Sequence, residues 1–165
     1  MRDVLSALNK LVADAVIQDY AIGGAIGASF YIDALQTEDV DAFVLLPKTP
    51  SGFVLLTPVY EALSKLGGVV EREYVQFGNW PLQILTDANP LIAEAIRSAA
   101  TVDYDGVPTR VFRAEHLCAI ALQLGRSKDY LRVSMFLEQD AVNRSELIDL
   151  LQRYGLEGSI GRLPG

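Results

Sequence analysis

Cysteine is nearly missing from this 165-residue chain, in which Cys118 is the only one. One thiol cannot form a disulfide within the chain, and it cannot supply the several thiolates of a structural zinc site. Because Cys118 lies in an apolar helical pattern, we expect it to be a small buried hydrophobic residue. A disulfide-stapled fold and a thiolate-rich metal site are therefore excluded.

Histidine is equally scarce, since His116 is the only one. It lies near the start of a predicted helix, and no motif pairs it with a serine or cysteine nucleophile. We expect it to have a capping or surface role and not a catalytic one.

Basic residues are outnumbered, with 14 lysines and arginines against 21 aspartates and glutamates, for a net charge of −7. A field of this sign repels phosphate backbones. Broad nucleic-acid binding is therefore not expected, although a local basic patch could still exist.

Long hydrophobic runs are also missing. Apolar runs such as Phe43 to Leu46 and Phe53 to Leu56 are far shorter than the roughly 20 residues that span a bilayer. The start of the chain, Met1 to Asp3, leads into an amphipathic segment, so the basic start followed by an apolar stretch that marks a secretory signal is missing. A cytoplasmic protein without a membrane span is expected.

Half of the residues are hydrophobic, and they are spread along the whole chain, which is typical of one globular unit. Hydrophobic spacing and turn residues predict its elements. These are a helix over residues 2 to 19, a strand Tyr20 to Ile22, a turn at Gly23-Gly24, a helix Ala25 to Ala34, a strand Val40 to Leu46, a helix from Thr57 to Gly67, strands Val69 to Phe77 and Pro81 to Thr86, a helix from Pro90 to about Ala100, strands Thr101 to Tyr104 and Val107 to Val111, and helices Ala114 to Leu124, Lys128 to Glu138 and Arg144 to Tyr154.

This order predicts an α/β fold of the α+β type, with a small mixed β-sheet flanked by helices and a helical C-terminal layer. We expect residues 1–112 to form the α/β core and residues 113–156 to form a C-terminal helical subdomain packed on that core. Residues 157–165, which are rich in glycine, are expected to be a loose tail.

Two carboxylates stand at the start of the central predicted strand. Side chains alternate along a strand, so Asp39 and Asp41 point the same way if the strand has begun by residue 39. Two such carboxylates repel each other unless a divalent cation or a basic partner lies between them, and Mg²⁺ prefers hard oxygen ligands. The alternative is that both are solvated residues at the entry to the strand, because a D-x-D triplet alone is common.

The glycine pair Gly23-Gly24 makes a metal more plausible, because it lies between a short strand and a helix ahead of the carboxylates. Free backbone N–H groups in such a turn can hold phosphate. Paired aspartates with Mg²⁺ and a phosphate-binding turn are the parts needed for in-line attack on a nucleotide phosphate.

These motifs resemble the polymerase-beta-like nucleotidyltransferase superfamily, in particular its minimal and abortive-infection-toxin-like branches. The resemblance covers most of the chain. The order and the spacing of the motifs agree with the family, which makes the match specific. It is carried by Ile22 to Ala25, by the T-x-D-x-D strand from Thr37 to Val44, by the segment from Gly106 to Val111, by Ala114 to Leu117 and by Gly125 to Asp129.

The resemblance implies a nucleotidyltransferase-like fold and a Mg²⁺-dependent transfer of a nucleoside monophosphate from a nucleoside triphosphate to an acceptor hydroxyl. The acceptor class, whether RNA, protein or a small molecule, is left open. By position, Asp39 and Asp41 would be the catalytic and metal-binding pair. The implied nucleotide-binding residues are Gly23, Gly24, Arg126, Lys128 and Asp129.

Three positions depart from the family's pattern. The third carboxylate that family members place on a later strand corresponds here to Gln83, and an amide cannot act as a general base. Ala121 replaces a lysine, and Arg132 replaces an acidic residue. If the register is different, the missing carboxylate could come from Asp87, Glu71 or Glu73.

These departures support an alternative hypothesis. The protein would be a catalytically impaired member of the fold that binds a nucleotide or a partner protein as a regulatory module, for example in a toxin–antitoxin pair or as a homo-oligomer.

Two other motifs have structural interpretations. Asp103-Tyr104-Asp105 is a second D-x-D, but the following Gly106 predicts a tight hairpin turn. Asn143-Arg144-Ser145 matches a glycosylation sequon, yet Asn143 suits a helix N-cap in a cytoplasmic protein.

Overall fold

Helices and strands alternate along most of the chain in the computed structural model, which describes residues 1–33, 37, 39–47 and 55–162. The elements in this part of the chain are α1 (Arg2–Ala13), β1 (Asp19–Ile22), α2 (Gly24–Ala28), β2 (Val40–Leu45), α3 (Thr57–Lys65), β3 (Val69–Glu71), β4 (Tyr74–Phe77), β5 (Trp80–Thr86), α4 (Pro90–Arg97), β6 (Ala100–Tyr104), β7 (Val107–Val111), α5 (Ala114–Leu124), α6 (Ser127–Glu138), α7 (Arg144–Arg153) and a 3-10 helix (Glu157–Arg162).

The strands form one mixed sheet in the order β3-β4-β5-β2-β1-β7-β6. Strand β2 lies at its centre, parallel to β5 and antiparallel to β1. The parallel pairing sets Asp41 beside Gln83, and the antiparallel pairing sets Ala42 beside Ile22. The predicted fold class, a mixed sheet with flanking helices, is confirmed.

Two hydrophobic clusters cover the two faces of this sheet. Adjacent residues of β1 belong to different clusters, with Ala21 in one and Tyr20 and Ile22 in the other, as side-chain alternation requires. The cluster around Tyr20 includes residues of α1 and α3, and the cluster around Ala21 includes residues of α4 to α7. Each fully buried leucine contributes roughly 1.5–3 kcal/mol, so packing is what holds both helical layers on the sheet.

Helix α1 ends at Ala13 and not at residue 19 as predicted. Ala15 has a left-handed φ of 55°, which turns the chain out of the helix. The N–H of Gln18 then donates to the carbonyl of Leu45 at 2.7 Å. The sheet thus takes backbone hydrogen bonds that a longer helix would have used.

Helix α2 is also shorter than predicted, since it ends at Ala28. The hydroxyl of Ser29 donates to the carbonyl of Ile26 at 2.7 Å, a local bond of the kind that competes with helix continuation. Turns and bends follow as far as Asp33. The remainder of the predicted helix, to Ala34, lies outside the described residues.

The predicted long strand from Val69 to Phe77 is in fact a hairpin, in which β3 pairs antiparallel with β4. Arg72 adopts a φ of 57° in the turn. The sequence offers neither glycine nor asparagine at this point, so the usual hairpin signal is missing. The register pairs Glu71 with Tyr74 and leaves Glu73 in the turn.

Turns and helix caps that are indicated by one or two neighbouring residues are formed as predicted. Asp105 and Gly106 have φ values of 50° and 81° in the hairpin between β6 and β7. Asn143 caps α7, with its side-chain oxygen accepting from the N–H groups of Ser145 and Glu146. Such signals work because the side chain bonds to its own neighbouring backbone.

The C-terminal part of the chain is helical. Helix α5 ends at Gly125, which has a left-handed φ of 68°, and residues placed in the predicted tail form the 3-10 helix. The predicted boundary between residues 112 and 113 stays a prediction. In the described part of the chain, no helix is both long and apolar enough to cross a membrane.

Candidate active site

A cavity of about 1320 Å³ lies between the central strands and the helices α5 and α6. We call it the cleft. It is lined by residues from the start of α2, from β2 and β5, from α4 and α5, and from α6 as far as Met135. Six of the seven residues singled out by sequence lie on it, namely Gly24, Asp39, Asp41, Arg126, Lys128 and Asp129.

The glycine pair lies tightly against the sheet. The N–H of Gly23 donates to the carbonyl of Asp41 at 2.9 Å. A Cβ at Gly23 would lie 2.6 Å from Cε2 of Phe43, and a Cβ at Gly24 would collide with the carboxylate of Asp41. Gly24 also has a φ of 57°, a conformation that costs other residues energy. Both glycines therefore let the strand that carries Asp41 approach the start of α2.

Asp39 and Asp41 both face the cleft, and both are half-buried. Burial, and then the negative charge of Asp39, raise the pKa of Asp41 above its ordinary value, while Arg132, Lys128 and Arg126 act in the opposite direction. The hydroxyl of Thr37 donates to Oδ1 of Asp39 at 3.0 Å and orients that carboxylate. Glu38 of the same motif lies outside the described residues.

The first turns of α6 bring positive charge to the cleft. Arg126 donates twice to Asp129, from Nε to Oδ2 at 2.6 Å and from a terminal guanidinium nitrogen to Oδ1 at 3.1 Å. Burial alone would raise the pKa of Asp129, but the hydrogen bonds and charge of Arg126 hold it below its ordinary value. The buried Asp129 carboxylate is thus engaged by Arg126, and it positions that arginine at the rim of the cleft.

Arg132 is a residue whose role sequence reasoning missed, because it was noted only as a departure from a family pattern. It lines the cleft, and its Nε is buried without a hydrogen-bond partner among the described residues. Lys128 and Arg132 are four residues apart on α6, so they share a helix face. That spacing is the signal that could have identified the pair.

Gln83 occupies the place beside Asp41 that the resemblance assigned to a third carboxylate. The two residues pair in register across β2 and β5, and both line the cleft. The other candidates for this role, Asp87, Glu71 and Glu73, do not line it. Among the described residues, no group of three or more histidine, cysteine, aspartate or glutamate side chains could hold a metal ion.

His116 lies outside the cleft, and the predicted surface or capping role is wrong. Its ring is buried, with Nε2 3.2 Å from Oε1 of Glu94. Helix α5 packs against α4 and α7 on this side, which removes the ring from solvent. Burial lowers the pKa of His116, against the opposing effect of the hydrogen bond with Glu94.

Comparison with known proteins gives matches among solved structures only, because no family model and no curated protein matches the sequence. An antigenic nucleotidyltransferase-like protein from Paracoccidioides brasiliensis has a TM-score of 0.59 and 16% identity, over 97% of this chain and 91% of that chain. The chain has a nucleotidyltransferase-like fold.

Two structures of the antibiotic-resistance factor ANT(2'')-Ia share this nucleotidyltransferase-like fold. Its solution structure gives a TM-score of 0.55 and 14% identity, over 98% of this chain and 95% of that chain. Its crystal structure in complex with adenylyl-2''-tobramycin gives 0.57 and 16%, over 95% and 97%. At these identities the likeness is one of fold, so the abortive-infection-toxin-like branch stays a prediction.

The donors at the start of β2 suit the divalent cation that the nucleotidyltransferase-like fold implies. Asp39 and Asp41 supply hard carboxylate oxygens, and Mg²⁺ is commonly held by one or two carboxylates together with substrate phosphates and water. The pKa of Asp41 is raised first by burial and second by the negative charge of Asp39, and a bound cation would favour the ionised carboxylate against both effects. These two residues therefore fit a magnesium ion.

Proposed function

We propose that the protein is a Mg²⁺-dependent nucleotidyltransferase that moves a nucleoside monophosphate from a nucleoside triphosphate to an acceptor hydroxyl. The observation that carries this proposal is the meeting of Asp39 and Asp41 with Gly24 on one side of the cleft and with Arg126, Lys128 and Arg132 on the other. The nucleotidyltransferase-like fold supports it independently.

In this reaction the acceptor oxygen forms a bond to the α-phosphorus, and the bond from that phosphorus to pyrophosphate breaks. Lys128 and Arg132 would bind phosphate oxygens from α6, and Arg126 would do so in the orientation set by Asp129. Asp39 and Asp41 would hold a magnesium ion, which would neutralise negative charge on the phosphates when bound.

The acceptor hydroxyl loses a proton in this reaction, and Gln83 cannot accept it. An amide beside Asp41 can position a hydroxyl by hydrogen bonding, but it cannot take up a proton. With Asp39 and Asp41 holding the metal ion, the proton would pass to water. Because a positioned general base contributes typically 10²–10⁴-fold, we expect slow turnover.

Substitution of the aspartate pair tests the proposal. The protein is incubated with each α-labelled triphosphate, Mg²⁺ and cell extract, and labelled products are separated. We expect label transfer by the wild type and a loss of about 100-fold or more in Asp39→Asn and in Asp41→Asn, since each removes a metal ligand but keeps the side-chain shape. The matched control is Asp149→Asn, an exposed position on α7, which should transfer label like the wild type.

A second candidate function is a nucleotide-binding regulatory module, and Gln83 beside Asp41 favours it. In that case no variant and no triphosphate would give label transfer. A triphosphate with Mg²⁺ would still raise the melting temperature of the wild type, because a ligand that prefers the folded state stabilises it. Absence of both transfer and stabilisation would show that both candidates are wrong.

A further inference from the structure

The cleft is larger than a single small ligand needs. Pockets for drug-sized ligands have volumes of roughly 300–1,000 Å³, whereas this cleft has about 1320 Å³. A nucleotide held near Asp39 and Asp41 would therefore leave room for a second molecule. The side chains around that remaining space indicate its chemistry.

The charges on the cleft wall are balanced. Among the residues that the structure describes, three acidic and three basic ones line it, in a chain whose net charge is −7. The acidic residues are Asp39, Asp41 and Asp129, and Asp129 is already bound to Arg126. Among the described residues that line the cleft, no further carboxylate is free to pair with an ammonium group on a second ligand.

The part of the cleft wall that α4 and α5 form carries the apolar side chains of Ile92, Leu117, Ile120, Ala121 and Leu124. Phe43 and Phe112 also line the cleft, with ring centroids 4.9 Å apart, but both rings lie against Gly23 beside the aspartates, and Phe112 is almost fully buried. Leu124 and Leu131 lie at the mouth of the cleft, and they are 55% and 64% exposed. The main polar side chains on this wall are Asn89 and Gln123, and the amide of Asn89 donates to Gln123 at 3.0 Å.

From these observations, and resting on the proposed function, we infer that the acceptor is an uncharged alcohol or phenol whose body is aromatic or aliphatic. Its apolar body would lie against Ile120, Leu124 and Leu131, with the hydroxyl directed toward Asp41. A polyamine such as tobramycin would lose hydration on several ammonium groups without gaining carboxylate partners among the described residues of the cleft. This chain would therefore differ in acceptor class from the fold neighbour that binds adenylyl-2''-tobramycin.

Ligand titration followed by NMR tests this inference without requiring turnover. Amide shifts of ¹⁵N-labelled protein are recorded with Mg²⁺ and triphosphate while tyrosol, an uncharged phenol with a hydroxyethyl arm, or tobramycin is added at physiological salt. We expect tyrosol to shift the amides of Ile120, Leu124 and Met135 in a saturable way. Tobramycin should leave these three amides unshifted.

Two leucine variants provide the control. Leu124→Asp should weaken tyrosol binding by about tenfold, because it places a charge beside the apolar body of the ligand. Leu66→Asp changes an exposed leucine outside the cleft and should leave the affinity within about twofold of the wild type. Equal weakening in both variants, or saturable cleft shifts with tobramycin at lower concentration than with tyrosol, would overturn the inference.

The outcome separates this inference from the proposed function. If label transfer depends on Asp39 but tobramycin titrates the cleft better than tyrosol, only the acceptor class is wrong. If no triphosphate binds and no label is transferred, the proposed function is wrong. In that case, saturable changes in the amide shifts of Ile120 and Leu124 on addition of tyrosol would still support an uncharged ligand for the cleft. Absence of these changes would exclude such a ligand.

Discussion

Gly24 and Asp41 show how one residue can depend on another that is distant in sequence. Gly24 has a left-handed φ, and the carboxylate of Asp41 lies where its Cβ would be. Gly78 has the same φ of 57°, but nothing lies within 4 Å of its missing Cβ. Both glycines thus require a left-handed φ, but only Gly24 has a side chain, that of Asp41, packed where its Cβ would be.

We therefore expect Gly24→Ala to lower the free energy of unfolding more than Gly78→Ala does. Each substitution forces an alanine into the left-handed conformation, which costs about 1–2 kcal/mol. At residue 24 the collision of the new Cβ with Asp41 adds about 1–3 kcal/mol. Urea unfolding measures both losses. The extra loss should largely disappear when Gly24→Ala is combined with Asp41→Ala, whereas equal losses in the two single variants would contradict the close approach.

At the scale of one element, α6 carries the cationic side of the cleft. Its start is organised by Asp129 at the third helical position, whose carboxylate accepts from the backbone N–H of the N-cap residue Arg126 at 3.2 Å. Asp129 is buried while the side chain of Arg126 is 54% exposed. The buried carboxylate thus anchors an arginine that remains available to a ligand.

Asp129→Asn should therefore affect both stability and ligand binding. We expect it to lower the free energy of unfolding by about 0.5–2 kcal/mol, the range for loss of a helix cap, and to weaken triphosphate binding because Arg126 loses its fixed orientation. Urea unfolding and triphosphate titration measure the two effects. Asp149→Asn on α7 is the control, and unchanged triphosphate affinity in Asp129→Asn would count against the positioning role.

The hairpins show why some elements are visible in the sequence and others are not. The hairpin of β6 and β7 has Asp105-Gly106 at its turn, which suits positive φ, and it was predicted correctly. The hairpin of β3 and β4 turns at Arg72, a residue with no preference for that conformation. The pairing of the two strands imposes the turn there, so no local sequence pattern predicts it.

At the scale of the whole molecule, a polar network joins α4, α5 and α7, and His116 is its buried member. Glu94 receives two hydrogen bonds of 2.8 Å from Arg153 and lies 3.2 Å from His116. The hydrogen bonds of Arg153, followed by those of Tyr154 and His116, lower the pKa of Glu94 to about 2 although burial opposes them. Burial lowers the pKa of His116 below its ordinary 6.5.

Both shifts predict that the protein is less stable in acid. As pH falls below 6.5, the unfolded chain binds a proton at His116 before the folded protein does, so unfolding becomes more favourable. Glu94 acts in the same direction below its ordinary pKa of 4.5 and down to about 2. We expect the melting temperature to fall between pH 7.5 and pH 5.5.

The variant His116→Gln assigns this fall to the histidine. The glutamine does not titrate, so its melting temperature should change less over the same pH interval, whatever its absolute stability. A wild type with constant melting temperature from pH 7.5 to pH 5.5, or a variant with the same fall, would exclude His116 as the source.

The fold class, most helices and strands, the hairpin at Asp105-Gly106 and the cap at Asn143 could be predicted from the sequence. Alternation along one strand predicted that Asp39 and Asp41 face the same way, and the position of Gly23-Gly24 between a strand and a helix indicated the turn. All of these rest on interactions between residues close together in the chain, where spacing and side-chain type are sufficient.

Which distant residues meet depends on long-range packing. Parallel pairing of β2 and β5 places Gln83 beside Asp41, the packing of α6 on α5 places Arg132 on the cleft, and the packing of α4, α5 and α7 buries His116. The physical reason is that strand register and helix packing are set by long-range contacts, which no short stretch of sequence contains.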